Sequence, residues 1–137
     1  MSAESVRASV LLDTSVVIDL ADEAVRRQLP EDVAITVVTL AELSVAPLVT
    51  DDPDVRSARQ RRLSDIEARF DALPVDAAAA RSFGTVVAAV RRSGRSSRRR
   101  SLDLLIAGVA HANQLPLATR HPDDFQGLEH LVDIRPV

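Results

Sequence analysis

The sequence predicts an α/β fold, in which a mostly parallel central sheet lies between helices in a three-layer α/β/α sandwich. Short apolar runs of β type alternate along the chain with segments of helical periodicity, which is the pattern of parallel strands joined by helices. The chain has 137 residues, of which 46% are hydrophobic, and this is enough to bury one core around one sheet. We therefore expect residues 1–137 to form a single domain.

The first half of the chain contains two predicted strands and two predicted helices. "SVLL" (9–12) and "VAITVV" (33–38) are short runs of aliphatic and β-branched residues, which are typical of buried strands. Helices are expected at 16–20, after the first strand, and at 40–49, after the second. Pro47 is expected to end or bend the second of these helices, because proline does not continue a helix.

The second half contains three longer predicted helices and two predicted strands. Apolar residues recur every three to five positions from 55 to 73 and again from 76 to 92, so both segments predict amphipathic helices. The segment 102–112 is apolar on nearly every side, which predicts a helix buried against the sheet. Strands are predicted at 115–119 ("LPLAT") and 131–134 ("LVDI").

Arginine carries all of the basic charge, since the 17 basic residues include no lysine. This removes the central residue of Schiff-base enzymes, of P-loop proteins and of receiver domains. With a net charge of −3, nucleic acid has to be bound by local arginine clusters or metal ions. The stretch "RRSGRSSRRR" (91–100), predicted to be a loop, is such a cluster. Three Phe, with no Tyr or Trp, argue against binding by base stacking.

Nothing in the sequence predicts export or insertion into a membrane. The first nine residues, "MSAESVRAS", lack the features of an export signal, and no apolar run reaches the length that spans a bilayer. There is no cysteine to form disulfides. We therefore expect a cytoplasmic protein without a membrane partner.

Acidic residues stand at the ends of predicted strands or the starts of predicted helices. Asp13 follows the first strand, Glu42 the second, Asp103 opens the buried helix, and Asp123 and Asp124 follow the third strand. Ligands of open parallel sheets bind beyond the carboxyl ends of the strands, so we expect these carboxylates to converge. Such a cluster must take up protons or bind a cation, and its oxygen ligands favour Mg²⁺ or Mn²⁺ over zinc.

Two of these acids also have a purely structural interpretation as helix caps. Asp13 suits the N-cap of the helix that follows it. Thr39 and Glu42 have the spacing of a capping box. Taken singly, capping is the favoured interpretation of both residues.

The later acids have structural interpretations as well. Asp103 lies in a first helical turn, where the helix dipole favours an anion, and Ser101 is the better candidate for the cap itself. Asp123 and Asp124 suit a turn. These separate interpretations weaken when the positions are considered together, because all of them meet at one edge of the predicted sheet.

The segments "LLDTSVVIDL", "TLAEL" and "SLDLLIAGVAHANQLPLATRHPDDF" together resemble the PIN-domain ribonucleases, especially the VapC-type toxins of type II toxin–antitoxin pairs, over essentially the whole chain. The resemblance implies a PIN-like fold and a metal site made of four acids. By position these are Asp13, Glu42, Asp103 and Asp124. Many members carry Asn or Asp where this chain has His121, so Asp123 remains an alternative to Asp124.

The resemblance implies an Mg²⁺-dependent endoribonuclease toxin, with Mn²⁺ as a substitute, that hydrolyses RNA with metal-activated water and leaves a 5′-phosphate. It also implies an antitoxin that covers the acidic groove. A homodimer is expected through the apolar faces of the helices at 16–20 and 40–49, unless these faces cover the core. The residues expected to bind substrate are Thr14, Ser15, Arg98, Arg99, Arg100 and Arg120, although the arginine run equally suits a solvated loop.

Other functions remain open at this point. The same carboxylates suit a PIN-like nuclease that acts on DNA or in RNA processing. A catalytically silent phosphate-binding or interaction domain is a further alternative, and so is a receiver-type domain with Asp13 as phosphoacceptor, against which the missing lysine counts. The RNA that is cut does not follow from the sequence.

Overall fold

A five-stranded sheet lies at the centre of the protein in a computed structural model, which describes residues 8–137. The strands are β1 (Val10–Leu12), β2 (Val33–Thr36), β3 (Ala72–Leu73), β4 (Leu117–Thr119) and β5 (Ile134–Pro136). Their spatial order is β3-β2-β1-β4-β5, and every neighbouring pair is parallel. The chain moves from β1 to β2 on one side and later places β4 on the other, so the carboxyl ends of β1 and β4 flank a topological switch point.

Helices connect the strands and cover both faces of the sheet. The α-helices within the described residues are α1 (Thr14–Ile18), α2 (Glu23–Arg26), α3 (Val37–Val45), α4 (Pro53–Arg69), α5 (Ala77–Arg92) and α6 (Ser101–Ala112). Short 3₁₀ helices cover Ala46–Val49, Arg98–Arg100 and Pro122–Phe125.

Two apolar clusters, one on each face of the sheet, confirm the predicted three-layer sandwich. Successive side chains of a strand point to opposite faces, so Leu11 packs with α5 and α6 while Val10 and Leu12 pack with α1, α3 and α4. Helix α6 is buried along most of its length, as its apolar sequence predicts. At Gly108 a Cβ would lie only 3.0 Å from the Phe83 nitrogen, so α5 and α6 approach each other closely.

Several element boundaries differ from the sequence prediction. The helix predicted at 55–73 ends at Arg69, and its last positions form the two-residue strand β3. Helix α2 was not predicted. The last strand lies at Ile134–Pro136 rather than at 131–134. Pro47 does end a helix, because the chain continues past α3 as a 3₁₀ helix.

The arginine-rich stretch 91–100 is only partly the loop that its composition predicts. Helix α5 continues to Arg92, and Arg98–Arg100 form a 3₁₀ helix directly before α6. Residues 1–7, which hold most of the segment considered as an export signal, lie outside the described residues. Within residues 8–137, no helix combines the length and apolarity needed to cross a membrane.

Candidate functional site

Asp13 lies between the carboxyl end of β1 and the start of α1, with only 4% of its surface exposed. Its Oδ1 accepts hydrogen bonds from the Val16 nitrogen (3.1 Å) and from Ser15 Oγ (2.5 Å). Its Oδ2 accepts one from Thr119 Oγ1 on β4 (2.5 Å). The predicted role as N-cap is therefore confirmed, and the same carboxylate is also fixed at the switch point between β1 and β4.

Glu42 lies in the second turn of α3, and the predicted capping box is wrong. Helix α3 starts at Val37 because Thr36 is its N-cap, with Oγ1 accepting from the Thr39 nitrogen at 3.2 Å. Thr39 is therefore inside the helix. Glu42 instead accepts a hydrogen bond from Thr14 Oγ1 (2.8 Å), and Thr14 Oγ1 lies 2.9 Å from Thr39 Oγ1. Because Thr14 has one hydroxyl proton, Thr39 is the donor to Thr14.

Asp103 lies in the first turn of α6, as predicted, but Ser101 does not cap this helix. Ser101 is its first residue, and the single proton of its hydroxyl is shared between the carbonyl oxygens of Ser97 and Arg98, at 3.4 and 3.3 Å. The 3₁₀ helix Arg98–Arg100 continues directly into α6. Arg100 therefore occupies the N-cap position, and its side chain makes no capping hydrogen bond.

Burial and neighbouring carboxylates raise the pKa of Asp103 from 3.8 to about 6. Burial is the largest cause, followed by the negative charges of Glu42, Asp13 and Asp124, while the positive charge of Arg100 acts in the opposite direction. The fold thus brings the four predicted acids, which are distant along the chain, close enough to act on one another electrostatically.

Asp124 and Asp123 both lie in the 3₁₀ helix that follows β4. Asp124 forms an ion pair with Arg100, whose Nη2 is 3.5 Å from Oδ1, and Arg100 Nη1 donates to the Asp124 carbonyl oxygen at 3.1 Å. The charge of Asp124, and not that of Asp123, contributes to the raised pKa of Asp103. This favours Asp124 as the fourth acid of the site.

We call the space between the carboxylates of Asp13, Glu42, Asp103 and Asp124 the acidic crevice. The arginines predicted to bind substrate lie at different places relative to it. Arg99 and Arg100 line a cavity of about 230 Å³ together with Glu42 and Asp103. On another side, Arg120 forms an ion pair with Asp19 (3.3 Å). The Arg120 backbone nitrogen donates to Ser15 Oγ at 3.1 Å. Arg98 is exposed to solvent.

Thr119 and Thr39 belong to the site but were not predicted. Both are completely buried, and each donates a hydrogen bond toward a carboxylate, Thr119 directly to Asp13 and Thr39 through Thr14 to Glu42. Thr119 is the last residue of the predicted strand 115–119 and the only one in it with a hydrogen-bonding side chain, so its position at the carboxyl end of a strand is a signal that could have found it. The sequence contains no such signal for Thr39, because its spacing from Glu42 indicates a capping box.

The donor set suits a hard divalent cation. Carboxylate oxygens are the ligands of Mg²⁺ and Mn²⁺, and a cation at this edge would offset the repulsion that raises the pKa of Asp103. Within residues 8–137, no three His, Cys, Asp or Glu side chains lie close enough together to hold an ion directly. The side chains therefore have to approach one another, or bind the ion through water, to complete its coordination shell.

A larger cavity, of about 700 Å³, lies between α5 and α6 beside Pro116, at the amino end of β4. It contains none of the predicted site residues. Ser82 and His111 line it and are joined by a hydrogen bond of 2.8 Å. The interacting carboxylates of Asp13, Glu42, Asp103 and Asp124 lie at the opposite end of the sheet, where the strands have their carboxyl ends. That end, and not the larger cavity, is therefore the candidate active site.

Comparison with known proteins agrees with this architecture. The sequence profile of the PIN domain matches residues 10–130. The chain is 42% identical over 127 residues to Ribonuclease VapC5 of Mycobacterium tuberculosis, covering 89% of each chain. It is 36% identical over 100 residues to Ribonuclease VapC8 of the same organism, covering 73% of this chain and 88% of the relative.

Solved structures show the same fold. A member of the VapBC family of toxin-antitoxin systems, VapBC-5 from Mycobacterium tuberculosis, superposes with a TM-score of 0.81 at 42% identity, over 95% of this chain and 99% of that one. FitAcB from Neisseria gonorrhoeae superposes with a TM-score of 0.73 at 23% identity, over 92% and 96% of the two chains, which is a likeness of fold.

Proposed function

The chain belongs to the PIN-domain family, and within it to the VapC ribonuclease toxins, and on this premise we propose that a divalent ion bound by its acidic crevice drives the hydrolysis of RNA. The proposed ligands are Asp13, Glu42, Asp103 and Asp124. One observation carries the proposal: the fold gathers four acids that are distant along the chain, at the start of α1, within α3, in the first turn of α6 and after β4, close enough for their charges to act on one another. The proposed unit is a single domain of residues 1–137.

Two of the four carboxylates, those of Asp13 and Glu42, are held in place by hydrogen bonds from neighbouring hydroxyls. The hydrogen bonds from Ser15 and Thr119 hold both oxygens of Asp13 in place. Thr14 orients Glu42. When bound, Mg²⁺ or Mn²⁺ supplies an activated water and stabilises the charge that develops on the phosphodiester. Asp13 and Asp103 are proposed to bind the ion directly, and Glu42 and Asp124 directly or through water.

Arginines on two sides of the crevice are proposed to position the RNA backbone. Arg99 and Arg100 adjoin Glu42 and Asp103, whereas Arg120 is held on the side of α1 by Asp19. Guanidinium groups bind phosphate oxygens in a bidentate way, so these arginines suit the phosphates next to the scissile bond. Thr14 and Ser15, whose hydroxyls contact carboxylates, are proposed to affect substrate through those carboxylates.

The partner of such a toxin is an antitoxin, which we propose covers the acidic crevice. A second surface suits the same partner: a groove of about 540 Å³ between α1, α2 and α4. Its apolar lining includes Val17, Ile18 and Ile66. Its charged lining consists of four arginines and one acid, Arg26, Arg61, Arg62, Arg69 and Asp65, so the groove is basic overall even though Asp65 forms an ion pair with Arg69 (3.2 Å). An acidic amphipathic segment would match both the apolar and the basic parts of this groove.

A homodimer is proposed through the apolar residues that α1, α3 and the following 3₁₀ helix leave exposed. Val16, Val17 and Leu43 of these helices cover the core, so only part of each apolar face is free. The exposed residues are Ile18, Val37, Val45, Leu48 and Val49. Light scattering of the Leu48→Asp variant tests this surface, because a charge there should convert a dimer into a monomer. The protein is proposed to act in the cytoplasm.

An RNA-cleavage assay tests the proposed activity. We expect cleavage with Mg²⁺ or Mn²⁺, 5′-phosphate on the products, and no cleavage in EDTA. Asp103→Asn and Glu42→Gln should abolish activity while circular dichroism stays unchanged, and Asp133→Asn, on an exposed acid beside β5, is the matched control. Cleavage in EDTA, or full activity of Asp103→Asn, would contradict the metal site. DNA of the same sequence in a parallel reaction tests the choice of RNA.

A further inference from the structure

The arginine-rich stretch is anchored to the loop that carries Asp124. Two of its arginines, Arg95 and Arg100, are partly buried, and their side chains contact that loop. Gly127, at φ +93°, leaves so little space that a Cβ there would meet Ser93 Oγ at 2.8 Å. Three contacts therefore join the two segments: Ser93 with Gly127, Arg95 with Gln126, and Arg100 with Asp124.

Four other arginines of the stretch point into solvent. Arg91 and Arg92 end α5, and Arg98 and Arg99 belong to the 3₁₀ helix before α6. All four are exposed, and no hydrogen bond or ion pair joins their side chains to any group within residues 8–137. We name these four residues the arginine ridge. Its positive charge contrasts with the net charge of −3 of the whole chain.

The arginine ridge reaches the acidic crevice at Arg99. Arg99 lines the cavity of about 230 Å³ that Glu42 and Asp103 also line, and the neighbouring Arg100 contacts Asp124. A polyanion that enters the crevice therefore passes next to the ridge. Because anchoring contacts hold the stretch to the loop of Asp124, the ridge has a fixed position relative to the carboxylates.

We propose that the arginine ridge binds the phosphates of RNA that flank the scissile bond, and that it does so without reading the bases. This inference rests on the proposed function, since it extends the substrate site from one phosphodiester to the neighbouring ones. Guanidinium groups recognise phosphate oxygens, and phosphate contacts position a nucleic acid without carrying sequence information. Stacking does not contribute here, because the ridge contains no aromatic residue and Phe125, in the neighbouring 3₁₀ helix, is buried.

Binding of RNA at different salt concentrations tests the ridge. The experiment uses the full chain with Asp103→Asn in EDTA, so that no RNA is cut, and labelled RNA long enough to extend past the crevice on both sides. Each phosphate contact contributes about 0.7 to the slope of log K against log salt for a single strand. The substitutions remove the two ridge arginines at the end of α5, outside the crevice: Arg91→Gln/Arg92→Gln should therefore reduce this slope by about 1.4 in total, and equally for oligo-U and oligo-A.

Arg61→Gln/Arg62→Gln is the matched control, because it removes the same charge from exposed positions on α4. This control should leave the slope unchanged. An unchanged slope in the ridge variant, an equal loss in the control, or a loss confined to one base sequence overturns the proposal. So does a ridge variant that keeps its RNA affinity and loses only antitoxin binding.

Cleavage separates this proposal from the proposed function. With Mg²⁺, the chain carrying its native Asp103 and the ridge substitutions should cut a short RNA that spans only the crevice as well as the unsubstituted chain does. It should cut a long RNA less efficiently, with a raised KM and an unchanged kcat. If the unsubstituted chain cuts no RNA, the proposed function fails; if it cuts both RNAs and the ridge variant matches it on both, only the ridge fails.

Discussion

The Asp13 carboxylate and the Thr119 hydroxyl, 106 positions apart in sequence, are joined by a hydrogen bond of 2.5 Å. The bond crosses from the end of β1 to the end of β4, and both side chains are buried. The Thr119 hydroxyl also accepts a hydrogen bond from the His121 nitrogen at 3.0 Å. One hydroxyl thus ties the central acid to the segment that leads to Asp124.

Thr119→Val should lower the free energy of unfolding by roughly 1.5–3 kcal/mol, the range for a hydrogen bond to a charged group. Valine has nearly the same shape but leaves Asp13 Oδ2 without its donor and the His121 nitrogen without its acceptor. Urea denaturation at neutral pH measures the change. Thr119→Ser keeps the hydroxyl and should lose much less. A valine variant as stable as the unsubstituted chain would show that this bond does not matter for stability.

Asp103→Asn should stabilise the metal-free protein at pH 8 and change it much less at pH 4. Folding raises the pKa of Asp103 from 3.8 to about 6. The folded state therefore favours the protonated acid, and the free energy of unfolding falls as the pH rises from about 4 to about 6. Each pKa unit corresponds to about 1.4 kcal/mol; with allowance for solvent screening, we expect a gain of roughly 1–2 kcal/mol. Urea denaturation at the two pH values decides, and an equal effect at both would be inconsistent with the raised pKa.

Thr39→Val should weaken the binding of Mn²⁺ about tenfold or more, which is the usual effect of losing a residue that orients a metal ligand. The Thr39 hydroxyl does not bond to a proposed ligand directly; it donates to Thr14, which donates to Glu42. Calorimetric titration with Mn²⁺ measures the affinity without any turnover. Thr39→Ser should restore it. If the Thr39→Val variant binds Mn²⁺ as tightly as the unsubstituted chain does, the hydrogen bond from Thr39 to Thr14 has no role in positioning Glu42.

Gly127→Ala should destabilise the protein more than Gly94→Ala does. Both glycines have positive φ angles, +93° and +82°, but a Cβ at Gly127 would lie 2.8 Å from Ser93 Oγ, whereas nothing lies within 4 Å of a Cβ at Gly94. The positive φ angle should destabilise either alanine variant by about 1–2 kcal/mol. Only Gly127→Ala adds a steric clash with Ser93. Thermal unfolding of both variants compares them. An equal loss of thermal stability in both variants would mean that the arginine-rich stretch and the loop of Asp124 can move apart without loss of stability.

The positions of the acids were predictable because of the periodicity of the chain. Once the apolar runs at 9–12 and 115–119 are taken as parallel strands, Asp13 and Asp124 must lie near the same edge of the sheet. The start of α3 was not predictable in the same way. The run "VAITVVTL" contains two threonines and no charged residue, Gly or Pro, so nothing local distinguishes Thr36, the actual cap, from Thr39.

Other features depend on contacts that local sequence does not contain. Strand β3 is two residues long, and Leu73 continues the spacing of α4, so the periodicity predicts a helix where pairing with β2 makes a strand. The bond between Arg100 and Asp124 requires the loops before α6 and after β4 to meet. Such long-range pairing is fixed by the packing of the whole sheet, which overrides local propensity.

Strand β1 lies between β2 and β4, and all three of its residues are buried. The Asp13 amide continues this pattern by donating to the Ala118 carbonyl oxygen at 3.0 Å. Amides in such a position exchange their hydrogens only when the whole molecule opens. Deuterium uptake should therefore be slowest at Leu11, Leu12 and Asp13 and faster around Asp124. Asp13 would then become exposed to solvent only when the whole native structure unfolds.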